Sequence, residues 1–244
     1  MAEIKLGIIG GGQLGSMLSV AAKKLNIKTI IYCDDKDAPA QNFCDEFIFG
    51  SYKDKEKILE FVNKVNVVTF EFENIPYQTL SEINKIKTVL PKPSINRIIQ
   101  HRLAEKDFIN KLNIRTTRYA SIEKRSDLNT LEDLLPGILK TTTMGYDGKG
   151  QYPVKKITDL NSLNIDFSKG YILEKLVRLK KEISVIITRF GNNRYEIYEP
   201  IENTHENQIL KYSKIPAEIS KEIFNQSKDW TINIAEELKY IGTL

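Results

Sequence analysis

At 244 residues the chain sits near the upper limit for one hydrophobic core, which leaves one large domain or several small ones open and excludes a peptide or disulfide-stapled miniature. Its 41% hydrophobic and 28% charged residues are those of a folded globule rather than a disordered chain. Thirty-six Lys and Arg against 32 Asp and Glu leave a net charge of +4 with no cationic cluster, which argues against a nucleic-acid partner.

Ile4 to Ile9 form a short apolar run that breaks into Gly10-Gly11-Gly12-Gln13-Leu14-Gly15, a strand followed by a glycine turn. Leu14, Met17, Leu18, Ala21, Ala22 and Leu25 then recur at helical spacing and predict an amphipathic helix with that face buried. Lys28 to Tyr32 reads as the next strand and closes a βαβ unit. Strands are expected at Phe47 to Phe49, Val65 to Phe70 and Thr88 to Leu90, with helices at Lys53 to Lys64 and Tyr77 to Lys85. This is a small α/β, Rossmann-like domain with a parallel sheet and right-handed crossovers.

Pro91 and Pro93 each lack a backbone donor and bias the preceding residue away from helix, so a boundary is placed near residue 92. Asn96 to Asn113 is expected to be helical. From about Arg115 the texture changes to antiparallel strands at Ile138 to Lys140, Gln151 to Lys155, Tyr171 to Leu176, Glu182 to Arg189 and Tyr195 to Pro200. Pro216 opens a last helix carrying Ile219, Ile223, Trp230 and Ile234, and Tyr240 to Leu244 reads as the start of a further strand. Since that strand would pack under the helix, the chain is expected to be a C-terminally incomplete version of a longer protein. The expected partition is 1–92, then 93–180 with linker helices and a small lid subdomain, then 181–244 as an unfinished α+β subdomain.

Cys33 and Cys44 stand eleven residues apart with no CxxC spacing and no secretory leader, the pattern of reduced, cytoplasmic thiols. With only His101 and His205 besides them, a Cys/His zinc site is excluded, and a metal would need oxygen ligands such as suit magnesium or calcium. No apolar run approaches the roughly 20 residues that span a bilayer, so no membrane role follows.

Three constellations carry chemistry. Gly10-x-Gly12-x-x-Gly15, with Asp34 and Asp35 about 20 residues on, fits a dinucleotide fingerprint. The same glycines also suit another anion or substrate, or close helix–strand packing, and the three readings stay open. In the second, Lys140 ends a strand before a loop with glycines at 145, 148 and 150. Exposed amides there make an anion nest beside a point cation. It is not a Walker loop, because the Gly-Lys-Ser/Thr ending and the following helix are absent. A glycine-rich hairpin without ligand is the plain alternative. The third is Ile172-Leu173-Glu174-Lys175-Leu176-Val177, followed by Glu182, where a strand backbone can pair with an adenine edge and an acid can accept ribose hydroxyls. Acidic residues flanking strands are more often simply solvated.

Taken in order, these segments resemble the ATP-grasp superfamily, and within it the 5-(carboxyamino)imidazole ribonucleotide synthases, the ATPase subunits of phosphoribosylaminoimidazole carboxylase. The carriers are Gly7 to Leu18, Thr69-Phe70-Glu71-Phe72-Glu73-Asn74-Ile75-Pro76, Arg102-Leu103-x-x-Lys106, and Lys140 with Gly145-Tyr146-Asp147-Gly148-Lys149-Gly150-Gln151. The Tyr-Asp pair inside the loop is the most specific of them.

The resemblance implies a pre-ATP-grasp domain followed by ATP-grasp domains, the last incomplete. It also implies a reaction in which ATP phosphorylates bicarbonate and aminoimidazole ribonucleotide captures the carbon dioxide released from carboxyphosphate. By resemblance, Arg102 and Lys140 contact ATP phosphates, and Gly145, Gly148, Lys149, Gly150 and Gln151 cover them. Glu174, Lys175, Leu176 and Val177 frame the adenine, Glu182 holds the ribose and His205 sits beside the nucleotide. Tyr146, Asp147 and Lys149 would hold the ribonucleotide, with Gln13 and Glu73 lining its pocket. Lys149 stands where an arginine also occurs in the family, which keeps the charge but not the bidentate fork.

The resemblance further implies ATP and Mg2+ as cofactors, metal carboxylates beyond residue 244, a homodimer when full length, and a cytoplasmic enzyme. No catalytic residue and no metal ligand is singled out within the chain. Rival readings are another ATP-grasp enzyme such as a biotin carboxylase or a formate-using transformylase, an NAD-dependent oxidoreductase that leaves the 140–151 loop idle, and a non-catalytic nucleotide-binding fragment.

Overall fold

The structure is a computed structural model that describes residues 3–144, 150–163, 165–191, 194–206 and 209–244. Two compact units divide the chain, Met1–Arg97 and Ile98–Leu244.

The first unit runs β1 (Lys5–Ile9), α1 (Gln13–Lys24), β2 (Lys28–Cys33), β3 (Glu46–Phe49), α2 (Lys55–Lys64), β4 (Val67–Phe70) and α3 (Tyr77–Ile86). Its sheet has the order β3-β2-β1-β4 with every pairing parallel, as the βαβ reading requires. Alternate residues of the central strands face opposite layers. Ile9, Ile30 and Tyr32 join Phe61, Val62, Leu80 and Ile83 on one side, while Ile8, Ile31 and Cys33 meet Ala38 and Ala40 on the other. Thr88 to Leu90 contributes a single parallel bridge, Val68 to Val89, in place of the expected strand.

Most of the face that the apolar spacing of α1 predicts as buried lies outward, and of the six predicted residues Ala22 alone is buried. Leu14 and Leu25 are 56% and 70% exposed and Met17 and Leu18 also face outward, whereas Gly15, Ser16, Ser19 and Ala22 are buried. The helix lies too close to its neighbours for larger side chains, since a Cβ on Gly15 would sit 3.1 Å from the Gly10 carbonyl and 3.4 Å from Ala40 Cβ. Ser16 and Ser19 donate to the Gly12 and Gly15 carbonyls at 3.2 and 2.9 Å, so their hydroxyls are satisfied inside.

The short helix α4 (Pro93–Ile99) leads out of the first unit, and α5 (Arg102–Lys111) follows. The single helix expected over 96–113 is thus broken, with His101 in extended conformation at the start of α5. The second unit continues with β5 (Tyr119–Ile122), β6 (Gly137–Thr141), β7 (Gln151–Val154), α6 (Ile157–Ser162) and β8 (Tyr171–Lys175). These four strands form an antiparallel sheet of order β5-β8-β6-β7 over a core of Ile122, Leu128, Leu139, Leu160 and Leu173.

Then come β9 (Glu182–Ser184), β10 (Ile187–Gly191), β11 (Arg194–Ile197), β12 (Ile201–Glu206), β13 (Ile209–Lys214), α7 (Lys221–Glu237) and β14 (Gly242–Thr243). The expected strand over 182–189 is two strands in different sheets, β13-β12-β9 and β11-β10-β14. The strand expected over 195–200 ends at Ile197, before Pro200, which has no amide to donate. Pro216 does not open the last helix. Ser220 caps it, accepting from the Ile223 amide at 3.3 Å, while the Ala217 amide is bound to the Pro200 carbonyl at 2.8 Å. The strand expected near the end forms as β14, antiparallel to β10.

Candidate functional site

Antiparallel pairing sets Ile138 opposite Glu174 and Lys140 opposite Ile172, so Lys140 and Glu174 are diagonal neighbours on one face of the β6–β8 pair. Lys140 Nζ donates to Glu174 Oε2 at 2.7 Å. From α5, Lys106 Nζ reaches the other oxygen, Oε1, at 3.2 Å. The Glu174 side chain is only 10% exposed. Burial alone would push its carboxyl up, but the Lys140 hydrogen bond, the Lys140 charge and the nearby Lys106 together hold it below the usual carboxylate value. Two cations share one carboxylate, which leaves one positive charge in excess for an anion to meet.

Helix α5 is pinned where it presents these groups. The Arg102 amide donates to the Thr142 carbonyl at 2.9 Å and its Nε to the Thr141 carbonyl at 3.1 Å, which ties the helix start to the end of β6. One turn on, Lys106 lies over the Tyr119 ring at 5.3 Å, and Tyr119 donates to Asp107 at 2.6 Å. Burial and that acceptor hold the Tyr119 hydroxyl's pKa above its ordinary value.

Past Thr141 the chain turns back through Gly150, whose carbonyl accepts from the Thr141 amide at 3.1 Å, and Gln151 pairs with Lys140. Gly150 has φ +68°, and a Cβ there would fall 2.8 Å from Thr141 Oγ1, so the turn needs glycine. Gly145, Tyr146, Asp147, Gly148 and Lys149 lie outside the described residues.

Beyond Glu174 the side chains separate. Lys175 Nζ donates to the Asp133 carbonyl at 2.7 Å, so its ammonium is not with those of Lys140 and Lys106. The Lys175 and Leu176 amides donate to the Arg118 and Pro136 carbonyls at 2.8 and 2.9 Å, and the Leu176 and Val177 side chains are exposed. Glu182 and His205 stand on the neighbouring strands β9 and β12, with Oε2 and Nδ1 3.3 Å apart. Beside them Lys181 grips Glu202 at 2.8 Å; that bond and the Glu218 amide lower the Glu202 carboxyl.

In the first unit Gln13 opens α1 and is exposed, as is Glu73 between β4 and α3. Glu71, two residues earlier, turns into the glycine loop and accepts from the Gly12 amide at 2.8 Å. Asp35, a candidate ribose acceptor in the dinucleotide reading, takes the Asp37 amide at 2.9 Å in a local turn. In the sequence Lys106 and Glu71 stand only as members of longer motifs, with no role of their own. For Lys106 the available signal was its position one helical turn after Arg102, on the same face.

Among the described residues no three His, Cys, Asp or Glu side chains gather as a metal-binding group. The residues described therefore do not make a complete magnesium site, and no chemical step is assigned to one. No helix is long and apolar enough to cross a membrane among the described residues.

Residues 1–100 match the ribonucleotide synthetase preATP-grasp domain, and residues 107–244 match the ATP-grasp domain. The N5-carboxyaminoimidazole ribonucleotide synthase of Bacillus subtilis (strain 168) is 35% identical over 243 residues, which make up 98% of this chain and 64% of that protein. A solved ADP complex of an N5-carboxyaminoimidazole ribonucleotide synthetase superposes with TM-score 0.92 at 34% identity, covering 100% of this chain and 67% of that one. The Staphylococcus aureus N5-carboxyaminoimidazole synthetase complexed with ADP gives TM-score 0.90 at 31% identity, over 99% of this chain and 66% of that one. The chain thus spans about two thirds of the length of these relatives. A pre-ATP-grasp match, an ATP-grasp match over more than half the residues and this level of identity lead to one assignment: the chain belongs to the ATP-grasp superfamily and, within it, to the N5-carboxyaminoimidazole ribonucleotide synthase family.

Proposed function

We propose that this chain carries the nucleotide-binding part of an ATP- and bicarbonate-dependent ligase of purine biosynthesis. The ligase forms a carbon–nitrogen bond, converting 5-aminoimidazole ribonucleotide to its N5-carboxy derivative through carboxyphosphate. The observation that carries the reading is the sheltered Glu174 carboxylate between Lys140 and Lys106, which leaves a net positive charge beside the end of β6. Phosphoryl transfer to bicarbonate needs charge neutralisation and exclusion of water more than acid or base groups.

In this reading Lys140 and Arg102 face the phosphates, with the loop of Gly145, Gly148, Lys149, Gly150 and Gln151 closing over them. The segment Glu174, Lys175, Leu176 and Val177 borders the adenine. Lys175 contributes its backbone, since its ammonium is held by the Asp133 carbonyl. Glu182 accepts ribose hydroxyls and His205 lies beside the nucleotide. Tyr146, Asp147 and Lys149, with Gln13 and Glu73, contact the ribonucleotide. Magnesium bound with ATP would supply further positive charge to offset that of the phosphates. We assign residues 1–92 to substrate binding, 93–180 to the linker and lid, and 181–244 to the start of the C-terminal subdomain, in a cytoplasmic enzyme that works as a homodimer.

Limited proteolysis tests the reading. ATP with magnesium is expected to protect residues 140–151, and NADH is not. Equal protection by NADH, or protection centred on residues 10–15, favours the dinucleotide reading instead.

A further inference from the structure

With ATP assigned to the second unit, Gly10, Gly12 and Gly15 of the first have no dinucleotide to hold. The loop geometry accounts for the glycines in another way. The Glu71 amide donates to the Ile9 carbonyl at 3.1 Å, extending the β1–β4 ladder by one residue, and its side chain folds into the loop. There Oε1 accepts from the Gly12 amide at 2.8 Å. A Cβ on Gly10 would lie 2.7 Å from that oxygen, and one on Gly12 3.2 Å from it. A Cβ on Gly15 would lie 3.7 Å from Glu71 Cγ. Gly10 and Gly12 thus make room for the Glu71 carboxylate, while Gly15 is crowded chiefly by the Gly10 carbonyl and touches Glu71 only at ordinary contact distance.

The carboxylate also supplies what the helix lacks. Gly12 is the N-cap of α1 and has no capping side chain, and the first turn of α1 contains no acidic residue. The free amides and positive end of a 12-residue helix call for an anion. Glu71, 59 residues away in sequence, provides it. We infer that Glu71 is the resident anion of the glycine loop, filling the seat a nucleotide pyrophosphate takes in a dinucleotide-binding domain and so setting this unit's selectivity against such ligands. The inference stands apart from the nucleotide assignment of the second unit and does not depend on it.

Backbone amide NMR of the 244-residue chain, titrated with inorganic pyrophosphate, tests it. The wild-type amides of residues 10–15 are expected to stay unmoved. Glu71→Ala is expected to show a saturable shift at those amides and, without ligand, exchange at the Gly12 amide at least about tenfold faster, the factor for losing one charge-assisted hydrogen bond. Glu71→Gln keeps the shape and removes the charge, and is expected to gain a weaker saturable response. It decides the matter should the alanine variant not fold. A saturable response in the wild-type loop, or a response in neither variant, overturns the inference.

Discussion

Lys140 and Glu174 meet diagonally across two antiparallel strands, Nζ to Oε2 at 2.7 Å, although 34 residues separate them in sequence. The contact sets the charge of the site, because Glu174 also holds Lys106 at 3.2 Å and neutralises only one of its two cations. Removing the carboxylate leaves two ammonium groups side by side with little water. Glu174→Ala is expected to cost about 3 kcal/mol of folding stability, the lower end for breaking a buried ion pair, measured by urea unfolding. A loss within experimental error of zero would place both lysines in solvent.

The same carboxyl gives a pH dependence of definite sign. Its folded value lies below the ordinary 4.5, so its contribution is complete above the unfolded value and is lost as pH falls through the lower, folded one. The stability gap between wild type and Glu174→Gln is therefore expected to be constant near neutrality and to shrink as pH drops from 4.5 downward. A gap that widened in acid would reverse the sign of the shift.

Lys140→Ala removes one cation and leaves Lys106 on Glu174, so the fold is expected to survive. If Lys140 faces phosphate, ATP binding weakens by about 1.5 to 3 kcal/mol, the range for a charge-assisted hydrogen bond. Calorimetric titration with ATP reads this directly, and an unchanged dissociation constant removes Lys140 from the phosphate site.

Gly150 has φ +68° with Thr141 Oγ1 2.8 Å from where a Cβ would be built. Gly150→Ala is expected to cost about 1 to 3 kcal/mol through left-handed strain at the β6–β7 turn, and to raise proteolysis there. Stability equal to wild type would mean that the turn relaxes at no cost.

Glu182 lies next to His205 and is proposed to accept ribose hydroxyls. Glu182→Ala is expected to narrow the preference for ATP over 2′-deoxy-ATP by about 1 kcal/mol, the worth of one such hydrogen bond. An undiminished preference in competition binding assigns ribose recognition elsewhere.

Several features of this protein were legible in the residue order alone. The parallel βαβ start and the change to antiparallel strands after residue 115 follow from local periodicity and turn chemistry, which depend on near neighbours. Tertiary structure decided what periodicity leaves open. Spacing groups Leu14, Met17 and Leu18 on one face of α1 but does not say which face the sheet covers; the close approach at Gly15 selected the small-residue face instead. An unbroken β pattern over 182–189 hides that β9 and β10 join different sheets, because sheet membership is a matter of distant partners. The pairing of Glu174 with Lys106 and of Glu71 with Gly12 joins residues 68 and 59 apart, through strand register and helix placement that no local spacing encodes.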